Sequence, residues 1–546
     1  MSTSASEGED RDASGLLAGV FGAARSGNLD LAYRLASAAV EGGVRDAVLF
    51  EVITRWMAQH EPDQESATAL QTLRMLSAGR PALLVRLGLL CLRLRQPQAA
   101  LSMFDAAISL QPDNAQAHYQ RGVALGALGQ VDEMRIAHAD VISLDPANAE
   151  ALASLALIAA RAGDTKLARD YAGKSLRCQP DEGCALAALA VADARDGRTD
   201  AAQSRIENLL SDNRCINDTR IDIAISDAGD AFTRHARFAE AFAAYAAVGE
   251  RRRRRQLPAV QSRRAIDAIH RRTAYFNLST PWGNETGETE LSPASAHVFL
   301  LGFMRSGTTL LETILAANPD ICAMDERELL AAAARRFLFS DETLDELGTN
   351  TGPELDTWRK DYWRAVEDTG LSPSGRALID KMPFNSLRIP LIARLFPHAR
   401  IVLAIRDPRD VVLSCFRNRF DANQLTFEFL RLEDCANFYA ATMEFLEICR
   451  LKMPLSIYEH KYEDLIADFD CSVRRICEFI GVEWRESMRD FIAASDVIAP
   501  RNYSGTQVRS GFYSHGVGQW RRFSAQLSPV IPILAPWISR FGYPAD

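Results

Sequence analysis

The 546-residue sequence has no CxxC pair among its ten cysteines and no Cys/His cluster at zinc spacing. That removes the common structural zinc sites and dithiol redox motifs. Scattered single thiols read instead as reduced, buried cysteines of a cytoplasmic protein. Long apolar runs are also missing. Arg86 interrupts the stretch near Leu83 and Arg161 ends the one near Leu155, so none reaches the roughly 18 residues of a membrane span. The first fifteen residues, MSTSASEGEDRDASG, are polar and acidic and lack the basic start and apolar centre of a secretory signal. There is no excess of basic charge: the net charge of −9 argues against bulk nucleic-acid or anionic-membrane binding and leaves only local basic patches open.

What is present is an ordinary globular composition, 47% hydrophobic and 24% charged, on a chain too long for one core. Its N-terminal half is periodic. Pro112, Pro146 and Pro180 recur every 34 residues, as do Gly129, Gly163 and Gly197, and the small residues Gly88, Gly122, Ala156 and Ala190. Each unit reads as a helix, a turn at the glycine, a second helix, and a proline that opens the next unit. Small residues would let the two helices approach closely. Asp113-Asn114-Ala115 and Ala147-Asn148-Ala149 give polar helix starts. The pattern resembles the tetratricopeptide repeat, most clearly over 81–210, with weaker helical flanks that extend it to 16–250 as degenerate or capping units. Two readings of this array stand side by side: a concave surface that recruits an acceptor protein, peptide or glycan, and a spacer that shapes the chain or mediates self-association.

The five arginines from Arg251 to Arg255 read as the solvated face of a connecting helix in preference to a patch for an acidic substrate. Residues 251–296, rich in turn formers around Pro281 and Gly283, read as a linker.

From residue 297 the pattern changes. Val298-Phe299-Leu300-Leu301 reads as a buried strand. It runs into Gly302-Phe303-Met304-Arg305-Ser306-Gly307-Thr308-Thr309 and then into a helical pattern through Leu310, Leu311, Ile314 and Leu315. Strand, glycine-containing loop and helix N-terminus together present backbone N–H groups to an anion. The spacing of Gly302, Gly307 and Thr309 matches a nucleotide-hydrolase loop, but Thr308 stands where that loop needs lysine. Metal-dependent ATP hydrolysis is therefore disfavoured. A second unit, Ile401 to Ile405 followed by Arg406-Asp407-Pro408-Arg409-Asp410 and a helix through Ser414, is placed to bring Arg406 and Ser414 to another phosphate.

Phe303 to Leu310 together with Ile405 to Asp410 resemble the two co-substrate signatures of sulfotransferases. Lys461-Tyr462-Glu463-Asp464-Leu465, leading to Ile476–Gly481, is similar to a third segment of that family. Within it the chain looks closest to the tyrosylprotein branch and to bacterial proteins that join tetratricopeptide repeats to a sulfotransferase domain. The resemblance spans about 297–546. It implies a helical-repeat solenoid followed by an α/β domain with a parallel sheet and a P-loop-like phosphosulfate-binding loop. It also implies transfer of a sulfonate from 3′-phosphoadenosine-5′-phosphosulfate to a hydroxyl, with protein tyrosine one candidate acceptor, without a metal.

By the same resemblance Glu326 would be the base, with Asp325 the neighbour open to confusion with it, and Lys381 in Asp380-Lys381-Met382-Pro383-Phe384 would stabilise the transferring group. Ser504, in a segment with Gln507 and Arg509 that would cover the co-substrate, would assist the transition state. Arg305, with Ser306, Gly307, Thr308 and Thr309, would hold the 5′-phosphosulfate. Arg406 and Ser414 would bind the 3′-phosphate, and Tyr462 would also contact the nucleotide. The chain departs from the family pattern twice. Gln519 replaces a usual basic residue, and Asn418, between Arg417 and Arg419, replaces another. A catalytically silent nucleotide-binding scaffold acting through its repeats is the alternative.

Overall fold

The computed structural model describes residues 16–57, 64–260, 264–282, 292–349, 353–491 and 516–545. They form two compact units that divide between Ala231 and Phe232.

In the first unit, helix pairs follow one another: Pro81–Arg93 with Pro97–Leu110, Ala115–Ala127 with Val131–Leu144, Ala149–Ala162 with Thr165–Cys178, and Gly183–Arg195 with Thr199–Ser211. Local chemistry sets their starts. Asn114, Asn148 and Glu182, one period apart, accept hydrogen bonds from the backbone N–H groups of Ala117, Ala151 and Ala185 at 3.0, 3.0 and 2.6 Å, which supplies partners for first-turn donors. The turn within each pair needs a left-handed residue. Gly129, Gly163 and Gly197 take it at φ +75°, +94° and +75°, whereas Arg95 takes it in the first pair at +57°, so the glycine period begins one unit late. Helices flank the array on both sides, at Leu29–Glu41, Ala47–Met57, Gln64–Ser77 and Thr219–Arg234. Arg220 on the last of these donates to Tyr119 Oη (2.9 Å) and Ser154 Oγ (3.4 Å), tying it to the first helices of two pairs.

The second unit begins earlier than its composition suggests. The stretch 251–296, expected to be a linker, holds the end of helix α1 (Phe238–Val260) and all of helix α2 (Ala265–Leu278). Only part of the arginine run is a solvated face: Arg254 is exposed, but its neighbours are not. Arg251 is buried, Arg252 donates to the Phe420 carbonyl, and Arg253 lies over the Phe427 ring at 5.6 Å. Tertiary partners take up charges that sequence alone would leave to water.

Five parallel strands form the sheet: β1 (Ala296–Gly302), β2 (Ile321–Asp325), β3 (Ala377–Lys381), β4 (Arg400–Ile405) and β5 (Ser456–Lys461), in the order β2-β3-β1-β4-β5. Alternation along β1 covers both faces. Val298 and Leu300 belong to a core with Leu311, Ile314, Val473 and Ile476, while His297 and Phe299 face an aromatic cluster with Tyr362 and Phe396. Chain order fixes the site. From β1 the chain moves out to β2 and back to β3, then crosses to β4 and β5, so the connections after adjacent β1 and β4 diverge. Such a switch point opens a crevice at the C-terminal strand ends. No helix among the described residues is long and apolar enough to cross a membrane.

The helix pairs yield a direct test. A Cβ on Gly122 would lie 2.6 Å from His138 Cε1, and one on Gly88 would lie 2.4 Å from Phe104 Cε1. Gly122→Val is expected to destabilise the repeats by about 2 kcal/mol through overpacking, lowering the first thermal transition by several degrees. An unchanged melting curve would refute the close approach.

Candidate active site

Two groups of side chains meet the C-terminal edge of the sheet. The first straddles the switch point. The loop after β1 leads into helix α3 (Thr308–Ala316), whose cap residue Gly307 provides no side-chain hydrogen bond to the first turn; those N–H groups remain available to an anion. Gly307 is required twice over: its φ is +94°, and a Cβ there would stand 2.6 Å from the Tyr462 ring. Arg305 Nε donates to Ser414 Oγ at 3.1 Å. Arg406 Nη1 donates to the Arg305 carbonyl at 3.0 Å, and its guanidinium lies 4.9 Å from the Tyr462 ring centroid. Residues expected from three separate segments are thus in one place: Arg305 from the first, Arg406 and Ser414 from the second, Tyr462 from the third. Among the described residues Arg406 Nε is buried without a hydrogen-bond partner, and a buried donor of that kind calls for an anion or water.

The second group sits on β3 and β2. Lys381 is fully buried. Its Nζ is 2.9 Å from Glu326 Oε1 and 3.3 Å from Glu312 Oε2, and it also bonds Asp325. Burial acts to lower the Lys381 pKa, but Glu312, Glu326 and Asp325 outweigh it and hold the ammonium above its ordinary value. Asp325 and Glu326 therefore both reach the lysine. They differ in backbone: Glu326 has φ +41°, with its N–H bonded to the Lys381 carbonyl at 2.8 Å. Arg305 is also left-handed, at φ +71°. Such residues cost about 1–3 kcal/mol each and concentrate at functional sites.

Gln519 and Asn418, the two positions that departed from the family pattern, each meet a residue of the helix that carries Ser414. Arg417 Nη1 donates to Gln519 Oε1 at 3.2 Å, and Asn418 Nδ2 reaches Ser414 Oγ at 3.2 Å. A guanidinium therefore stands beside residue 519 although residue 519 is not basic. Ser504, Gln507 and Arg509 lie outside the described residues.

Sequence reasoning missed two supporting acids. Glu312 is the only acid in α3, set between Leu311 and Ile314 on a helix whose residues 308–315 are all buried; a charge inside an apolar run was its signal. Asp410 accepts from the backbone N–H groups of Gly518 (2.6 Å) and Trp520 (2.8 Å), fastening the segment that carries Gln519. Burial pushes its pKa up to about 6, against the pull of Arg406. No sequence signal marked Asp410 apart from the other acid of that segment.

Replacing Lys381 by Met would leave three carboxylates crowded without their cation. Glu312, already raised by burial, would lose the opposing pull of Lys381 and rise further, so the stability its neutral form allows is present at low pH and lost as pH rises through the raised value. Lys381→Met is expected to cost about 3 kcal/mol at pH 8 and clearly less at pH 5.5. Equal losses at both pH values in denaturant titrations would refute the electrostatic account.

With this geometry in hand, comparison with known proteins bears on both units. A profile described as the Sulfotransferase family matches residues 297–486, and a tetratricopeptide-repeat profile matches residues 81–114. An uncharacterized protein of Aquifex aeolicus is 27% identical over 257 residues, which is 44% of this chain and 32% of that protein. Protein-tyrosine sulfotransferase 1 of Danio rerio is 24% identical over 258 residues, covering 45% of this chain and 72% of the relative. The solved sulfotransferase domain from the Synechococcus PCC 7002 olefin synthase is 21% identical and covers 44% of this chain and 91% of that domain, with a TM-score of 0.31. The matched stretch thus spans about a third of the Aquifex protein's length. The chain carries a tetratricopeptide-repeat region followed by a sulfotransferase-family domain.

Proposed function

We propose that the C-terminal domain transfers a sulfonate from 3′-phosphoadenosine-5′-phosphosulfate to an acceptor hydroxyl, and that the repeats recruit or position the acceptor. The observation that carries this reading is the convergence at the β1/β4 crevice. An uncapped helix N-terminus, the paired Arg305 and Ser414, and the Nε of Arg406, without a partner among the described residues, form a basic cradle suited to a nucleotide phosphorylated at two ends. The absence of a lysine at position 308 separates this loop from those that hold triphosphates with magnesium.

In the proposed reaction the acceptor oxygen forms a bond to sulfur as the bond from sulfur to the 5′-phosphate oxygen breaks. The acceptor proton passes to Glu326, and adenosine 3′,5′-bisphosphate leaves. Glu326 suits a base because its side chain is 35% exposed while Lys381 holds one of its oxygens. Lys381, buried behind it, supplies positive charge toward the transferring group. Arg305 and the loop N–H groups would hold the phosphosulfate, with Arg406, Ser414 and Tyr462 on the second phosphate. Protein tyrosine is the acceptor class that the curated relatives' names suggest.

Calorimetry tests the nucleotide. Adenosine 3′,5′-bisphosphate is expected to bind at least tenfold more tightly than ATP with magnesium, a difference of about 1.4 kcal/mol; preference for ATP would overturn the reading. For the chemistry, Glu326→Gln is expected to keep bisphosphate binding and lose at least 100-fold in turnover, in the range of a general base (about 10²–10⁴). Radiolabelled sulfate transfer into a lysate of the source cells would measure it, and undiminished labelling would remove Glu326 from that role.

A further inference from the structure

We infer that Glu312 is a positioning residue that sets how much of the Lys381 charge reaches a sulfonate at the sheet edge. This rests on the sulfotransferase reading of that edge. Glu312 lies on α3 one turn beyond Thr308, so the helix that opens at the anion loop also reaches the buried ammonium. Its side chain is 4% exposed, against 32% for Asp325 and 35% for Glu326. Its Oε2 stands 3.3 Å from Lys381 Nζ, in ion-pair range, yet makes no hydrogen bond of good geometry among the described residues.

One ammonium cannot neutralise three carboxylates. Like charges in a low-dielectric site force a proton onto one of them, and the most buried acid is the one that loses least by taking it. The charges that face Glu312 are Lys381 on β3, Asp325 at the end of β2 and Glu326 just beyond it. Burial is the largest influence and pushes its pKa up to about 8, with Lys381 opposing and the two acids adding to it.

The consequence is directional. With Glu312 neutral, Lys381 balances only Asp325 and Glu326, the pair that is partly exposed. When Glu312 ionises, its new negative charge draws the ammonium inward and cancels part of the field at the sheet edge. A sulfonate there is then held less tightly. The effect acts wholly through Lys381 and requires no contact between Glu312 and substrate.

The test compares affinity for 3′-phosphoadenosine-5′-phosphosulfate with that for adenosine 3′,5′-bisphosphate, which lacks the sulfonate, between pH 7 and 9 on the full chain. In the wild type the preference for the sulfonated nucleotide is expected to fall about tenfold across that range, within the limit of one coupled proton. In Glu312→Gln, and in Glu312→Met as a second neutral form of similar volume, it should change by less than about twofold over the same range. The same fall in both variants as in the wild type would overturn the role of Glu312, as would loss of bisphosphate binding in both, which would mark the residue as structural. If neither nucleotide binds the wild type, the reading of the site itself fails and takes this inference with it.

Discussion

Everything at the candidate site depends on where the parallel sheet reverses its winding. The order β2-β3-β1-β4-β5 puts two strands with divergent connections side by side, and a crevice must form where the polypeptide leaves in opposite directions. Arg305 comes from one exit and Arg406 from the other. Their bond through the Arg305 carbonyl closes the floor of that crevice. A different strand order with the same sequence motifs would leave the two arginines on separate edges with no common ligand.

The second dependence is electrostatic. β3 lies between β2 and β1, so the strand carrying Lys381 is flanked by the one that ends in Asp325 and the one that opens the anion loop. Burying a lone ammonium at that place would be prohibitive, and three carboxylates from two neighbouring elements make it tolerable. The excess of acid over base in this cluster contrasts with the first group, where arginines predominate. For the proposed transfer, a cationic cradle for the donor and a carboxylate near the acceptor are what displacement at a charged centre requires.

How much of this was legible beforehand followed the range of the interactions. The 34-residue period, the Asn114 and Asn148 caps, and the strand–loop–helix at residues 298–315 are local, and spacing reveals them. The strand order is not local, so neither the meeting of Arg305 with Ser414 nor the place of Lys381 was visible without family resemblance. Arg406 and Arg409 show the limit well. They are three residues apart in one acidic and basic segment, and residue type does not distinguish them. In the structure Arg409 is fully buried, occupied by Asp407, the Trp520 ring and the carbonyls of Pro544 and Ala545, while Arg406 reaches the Arg305 carbonyl and the Tyr462 ring beside the anion loop. Arg252 and Arg253 misled for a similar reason: their partners lie about 170 residues away, at Phe420 and Phe427.

The ring of Tyr462 rests where a side chain on residue 307 would have to go, and the same ring lies beneath Arg406. These three positions therefore constrain one another. Any enlargement at 307 must wait for a smaller residue at 462, and that change strips Arg406 of the surface it rests on. Change at residue 307 and change at residue 462 are therefore each opposed by the other, and the support of Arg406 falls with either.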